Sequence, residues 1–153
     1  MDAPQDIAML LVFRLDGEAF AVRVDSVHEV LDPADPTPVP GADPFAPGLV
    51  NVRGLVVPVL DIRRRLHMAP DLGSPTARMI VLEHAIDGVA TKLAFTADAV
   101  EEVITADLAT LDPVPPLGAA WPQACLRGAL RHGDDLVVLL DQDTVFDPAH
   151  RAA

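Results

Sequence analysis

The segment Asp25-Ser26-Val27-His28-Glu29-Val30 returns 73 residues later as Asp98-Ala99-Val100-Glu101-Glu102-Val103, and this echo constrains the fold more than any other feature. Arg53-Gly54 is matched by Arg127-Gly128 at an offset of 74, and Val59-Leu60-Asp61 by Leu139-Leu140-Asp141 six residues further out. The extra length is assigned to the neighbourhood of Gly133-Asp134-Asp135. Three landmarks in the same order read as an internal duplication, one half over 7–70 and the other over 76–148. Each half opens alike. Leu11, Phe13 and Leu15 share one face of an alternating segment, Asp16-Gly17 is a two-residue hairpin signal, and Phe20, Val22 and Val24 alternate with Ala21 and Arg23 on the return. In the second half Met79–Leu82, Asp87-Gly88 and Val89–Phe95 play the same parts. Short strands and turns in two similar halves suggest paired small β-barrels or a sandwich.

The middle of the first half is Gly48–Leu66, GLVNVRGLVVPVLDIRRRL. Its β-branched valines between Gly48 and Asp61 favour buried strands over a helix. Arg53 is out of place among them. A guanidinium there must reach water, pair with a carboxylate or face a partner, so a structural ion pair and a binding contact are both open. Asp61 caps a short helix on which Ile62 and Leu66 share a face, leaving Arg63, Arg64 and Arg65 as a solvated face or a docking patch. The six prolines and three aspartates of Asp32–Pro47 exclude a helix or a central strand and imply an extended surface crossover. Thr105 is a candidate cap for a helical turn through Leu111. Asp112–Pro122 is a second proline-rich loop whose Trp121 is a lid over the core or an exposed anchor, and Asp141–Pro148 reads as a short helix carrying Val145 and Phe146. The ends, 1–6 and 149–153, read as flexible.

Composition narrows the function. At 153 residues, half of them hydrophobic, the chain suits one domain that buries about two-thirds of its unfolded surface. A formal charge of −12 argues against nucleic acid or an anionic membrane as partner. A lone Cys125 allows no intrachain disulfide and fits a buried apolar role. Neither a signal peptide nor a membrane span is read from the apolar runs. Histidines 28, 67, 84, 132 and 150 lack metal-ligand spacing. No GxSxG, phosphate-binding glycine loop or HExxH occurs, and adjacent acids such as Glu101-Glu102 and Asp134-Asp135 point to opposite faces of a strand. A non-enzymatic protein without cofactor or metal is the expectation.

Gly48, Asn51, Arg53, Gly54, Pro58 and Asp61 fill the pattern G-x-x-N-h-R-G-x-x-x-P-h-x-D, and the chain thereby resembles the CheW-like family of bacterial chemotaxis coupling domains. The resemblance extends to Phe20, Val27–Glu29, Asp98–Val103 and Arg127–Asp141, nearly the whole chain. It implies two five-stranded, SH3-like β-barrels with an apolar seam and short helices. It also implies a free-standing cytoplasmic adaptor, held in arrays at the inner face of the membrane without inserting into it. Such an adaptor couples the cytoplasmic tip of a methyl-accepting chemoreceptor to the regulatory domain of a histidine kinase. By motif position Val27, Glu29, Arg53, Gly54 and Gly128 match receptor-coupling positions, Glu29 and Arg53 as an ion pair; kinase-binding positions are not indicated. Ala94, Thr96 and the basic run Arg63–Arg65 depart from the family pattern. A scaffold of the same fold in a pilus, surface-sensing or polar-localisation pathway is the alternative.

Overall fold

The computed structural model describes residues 6–71, 73–114 and 121–147. In chain order the elements are β1 (Ile7–Leu15), β2 (Glu18–Arg23), β3 (Val27–Leu31), β4 (Thr37–Pro38), β5 (Gly48–Val52), β6 (Leu55–Val59) and α1 (Ile62–Arg65). The second repeat follows with β7 (Arg78–Ile86), β8 (Val89–Ala97), β9 (Ala99–Asp107), β10 (Leu126–His132), β11 (Asp135–Leu140) and α2 (Gln142–Val145). The architecture is mainly β. Asp16-Gly17 and Asp87-Gly88 make the expected two-residue turns, with positive φ at all four residues.

The repeats interweave. One sheet has the order β10-β11-β2-β1-β9 and the other β3-β7-β8-β6-β5-β4, so the third strand of each repeat pairs with the first strand of the other. Each sheet closes into a barrel through the segment after that crossing strand, where Thr37 pairs with Leu49 and Asp112 with Ala129. The closure is tight enough to demand glycine opposite it. A Cβ on Gly48 would stand 2.7 Å from Pro36 Cβ and 3.0 Å from the Thr37 carbonyl oxygen. One on Gly128 would stand 2.8 Å from Leu111 Cβ and 3.0 Å from the Asp112 carbonyl oxygen.

These two glycines correct the repeat register. Gly48 and Gly128 lie 80 apart, as do Asp61 and Asp141, and the stretches between them align without a gap. The partner of the Arg53-Gly54 turn is therefore the Gly133-Asp134 turn, not Arg127-Gly128, which lies in β10. The added length precedes Gly128 instead of surrounding Gly133. The offset of 73 is sound: β3 carries a bulge between Val27 and Glu29, and β9 interrupts its register at the matching place, between Val100 and Glu102.

Side-chain size sorts between the barrel interiors and the seam. The first barrel is filled by small and medium side chains, among them Ala8, Leu10, Val12, Ala21 and Ile104, and the second by Val50, Val52, Val57, Val59 and Val81. All five phenylalanines lie in the cluster between the barrels. Phe13 stands 5.2 Å from Phe95, Phe95 5.9 Å from Phe146, and Trp121 meets Phe20 edge-on at 5.1 Å, closing the core as a lid. The barrel interior and the seam together bury both faces of β1 from Leu10 to Phe13 and of β2 from Ala19 to Val22. Ala21, which the alternation sets on the face opposite Phe20 and Val22, is therefore wholly inaccessible.

The helix termini depart from expectation in one important way. Asp61 and Asp141 cap α1 and α2 by accepting from the Arg64 and Thr144 amides. Of the three arginines, only Arg64 is exposed; Arg63 and Arg65 are 5% and 6% accessible. Arg63 pairs with Asp98, whose other carboxylate oxygen accepts from the Asp16 amide. Arg65 donates to the carbonyls of Thr144, Val145 and Asp147 and lies 3.5 Å over the Phe45 ring. A four-residue helix wedged between barrels has no broad solvated face, so these long side chains run inward and tie the repeats together. Thr105 belongs to β9, and the following single turn, Leu108–Thr110, is capped by Asp107. His150 and Pro148 lie outside the described residues.

Candidate functional site

The register Val52↔Leu55 leaves Arg53 and Gly54 as the two central residues of the β5–β6 turn. Both have positive φ, 49° and 85°, a conformation that suits glycine and disfavours a long side chain. The two Asp-Gly turns place aspartate where this one places arginine. Asn51 holds the loop by accepting from the Gly54 amide at 2.9 Å. Most of the signature is thus architectural: Gly48 permits closure, Asn51 and Gly54 build the turn, and Asp61 caps α1. Arg53 directs its side chain into solvent, where it is 76% accessible. Strain accepted for an exposed side chain points toward function.

Glu29 meets it from β3. Arg53 Nε lies 3.1 Å from both Glu29 carboxylate oxygens, and the carboxylate is mostly shielded. His28 Nε2 approaches the same carboxylate at 3.7 Å. With the Nε–H engaged, the two terminal nitrogens of Arg53 keep N–H groups free for an incoming carboxylate. An ion pair this exposed contributes about 0–1 kcal/mol, so it orients the guanidinium more than it stabilises the fold. Leu55 and Val56, just past the turn, are 51% and 67% accessible and give the site an apolar flank.

The bulge in β3 separates residues that sequence spacing would place together. Val27 is opposite Leu82 and packs on the seam, whereas Glu29 is opposite Val81 and faces the mouth of the second barrel. Glu29, Arg53 and Gly54 converge; Val27 lies behind them. Gly128 sits in the first barrel, buried against Leu111 and Asp112. Leu55 and Val56 were not singled out from sequence, because their run reads as wholly buried. Among the described residues no cluster of His, Cys, Asp or Glu could hold a metal ion, and no helix is long and apolar enough to cross a membrane.

Comparison with known proteins gives one consistent picture. The family model described as the CheW-like domain matches residues 9–149. The chain is 28% identical over 144 residues to a chemotaxis protein CheW of Rhizobium meliloti, covering 94% of this chain and 90% of that one. It is 25% identical over 138 residues to a chemotaxis protein CheW of Bacillus subtilis, covering 90% and 86%. The crystal structure of the scaffolding protein TtCheW from Thermoanaerobacter tengcongensis superposes with a TM-score of 0.78 at 27% identity, over 99% of this chain and 93% of that one.

Proposed function

The chain belongs to the CheW-like domain family, and from that premise we propose that it is a non-catalytic adaptor bridging chemoreceptor cytoplasmic tips and the regulatory domain of a chemotaxis histidine kinase. The observation that carries this reading is the exposed Arg53, held at positive φ by Asn51 and oriented by Glu29. A bridging protein needs separate contact surfaces on one stiff body, so that binding one partner raises the local concentration of the other. Two barrels fastened by an aromatic seam and by the Arg63–Asp98 pair supply that body. The seam is filled by the chain's own rings, so a receptor helix engages its rim and the Arg53 turn instead of inserting deeply. There Arg53 sets orientation and selectivity, as charged groups at interfaces do. Val27 acts on coupling by holding the scaffold behind that surface, and Gly128 by keeping the closure of the first barrel tight. The adaptor works in the cytoplasm, at the membrane face where receptor tips gather.

Size-exclusion chromatography of a soluble receptor-tip hairpin, the full kinase and this chain tests the reading. A complex containing all three, absent when this chain is withheld, is the expected result. Failure to bind either partner overturns it.

A further inference from the structure

Arginine is a poor choice for the first central residue of a two-residue turn. Aspartate and asparagine tolerate positive φ because their short polar chains bond to nearby backbone, and the chain places aspartate at its Asp16-Gly17 and Asp87-Gly88 tips. A long side chain has no such means, yet Arg53 stands at φ 49°. The compensating bond comes from outside the turn. The last pair of the hairpin is Val52↔Leu55, which leaves the Gly54 amide beyond the ladder, and Asn51 Oδ1 accepts from it at 2.9 Å. Asn51 is exposed between the buried Val50 and Val52 and stands opposite Val56, so nothing in the core requires an amide side chain there.

What this bond controls is the direction of Arg53. A side chain leaves its Cα along a line set by the backbone dihedrals, so a tip that relaxed toward negative φ would swing the Arg53 Cβ and carry the guanidinium away from Glu29. In the observed turn Nε lies 3.1 Å from both Glu29 oxygens, with the terminal N–H groups free. A pair this exposed is too weak to hold the tip by itself.

We propose that Asn51 is a positioning residue for partner binding: through the Gly54 amide it keeps Arg53 in the orientation that binds, without touching the partner itself. This rests on the adaptor reading above, in which Arg53 meets the receptor. Where the binding orientation is only partly populated, apparent affinity falls by that fraction. Losing Asn51 therefore weakens binding although the guanidinium is still present. Aspartate carries the same acceptor at the same reach and replaces Asn51; alanine does not. Because the effect passes through Arg53, it vanishes once that side chain is gone.

The test is calorimetric binding of a soluble receptor-tip hairpin to the full chain as wild type, Asn51→Ala, Asn51→Asp, Arg53→Ala and the Asn51→Ala, Arg53→Ala double variant. Hydrogen exchange of the Gly54 amide is measured on the same proteins. Asn51→Ala is expected to bind about fivefold more weakly, the size of one long side chain left to be ordered on binding. It should also speed Gly54 exchange about fivefold and melt within about 3 °C of wild type. Asn51→Asp is expected within about twofold of wild type on both counts. In the Arg53→Ala background, Asn51→Ala should cost nothing further. Wild-type affinity in Asn51→Ala, a loss that persists without Arg53, or one that Asn51→Asp does not restore overturns the inference. So does unchanged Gly54 exchange, or a melting temperature lowered beyond that range. Weak binding by Arg53→Ala would then still leave the adaptor reading standing. A hairpin that fails to bind the wild type overturns both.

Discussion

Replacing Arg65 with alanine removes the most committed polar side chain in the core. Its guanidinium donates to the carbonyls of Thr144 at 3.2 Å and Val145 at 2.9 Å, and to that of Asp147, and it covers the Phe45 ring. Hydrogen bonds from a charged donor contribute about 1.5–3 kcal/mol each, and a desolvated cation over a ring about 2 kcal/mol. Against that sum stands the cost of burying the charge, visible in a guanidinium pKa pushed below its usual value chiefly by burial. Removing one partner of a buried charged contact costs about 3–5 kcal/mol net. For a domain of this size that is a fall in melting temperature of about 10 °C. Urea unfolding followed by Trp121 fluorescence measures it, because that ring packs on Phe20 only in the folded state. Arg64→Ala, one residue away on the exposed side of α1, is expected within about 0.5 kcal/mol of wild type. If Arg65→Ala and Arg64→Ala unfold at the same urea concentration, the inward-facing account of this helix is wrong.

Three glycines separate crowding from backbone strain. Gly48→Ala and Gly128→Ala force backbone or ring atoms apart at the barrel closures and should each cost about 1–3 kcal/mol, read as a lower urea midpoint. Gly54→Ala meets nothing within 4 Å, but its φ of 85° is left-handed; a loss of about 1–2 kcal/mol follows from strain alone. Cys125 is inaccessible, and burial pushes its thiol pKa above the usual range. Iodoacetamide at pH 8 should therefore alkylate the native chain at least about a hundredfold more slowly than the unfolded one. Arg65→Ala should speed that labelling in step with its loss of stability; rapid labelling of the wild type would count against a sealed core.

Much of this fold is written locally. Asp16-Gly17 and Asp87-Gly88 declare their hairpins, Asp61 its helix cap, and the prolines of Asp32–Pro47 a segment that supplies only the two-residue β4. The interweaving is not local, since nothing in Val27–Leu31 says that its partner is β7. The false match of Arg53-Gly54 to Arg127-Gly128 shows how a dipeptide misleads. One glycine supplies a turn and the other makes room for Leu111 and Asp112, and only coordinates separate these reasons. Arg63 and Arg65 misled because charge suggests solvent, while their length let them cross the seam to Asp98 and the end of α2. The Glu29–Arg53 pair was legible from motif position, but the bulge that turns Val27 away from Glu29 was not.

On the proposed reading Arg53 meets a partner and does little for the fold. The direct measurement is the affinity of Arg53→Ala for a receptor-tip hairpin, taken beside its melting temperature. A weakening of about tenfold, 1.4 kcal/mol, with the melting temperature within about 2 °C of wild type, is the result this account requires. Unchanged affinity, or a loss of affinity matched by an equal loss of stability, contradicts it.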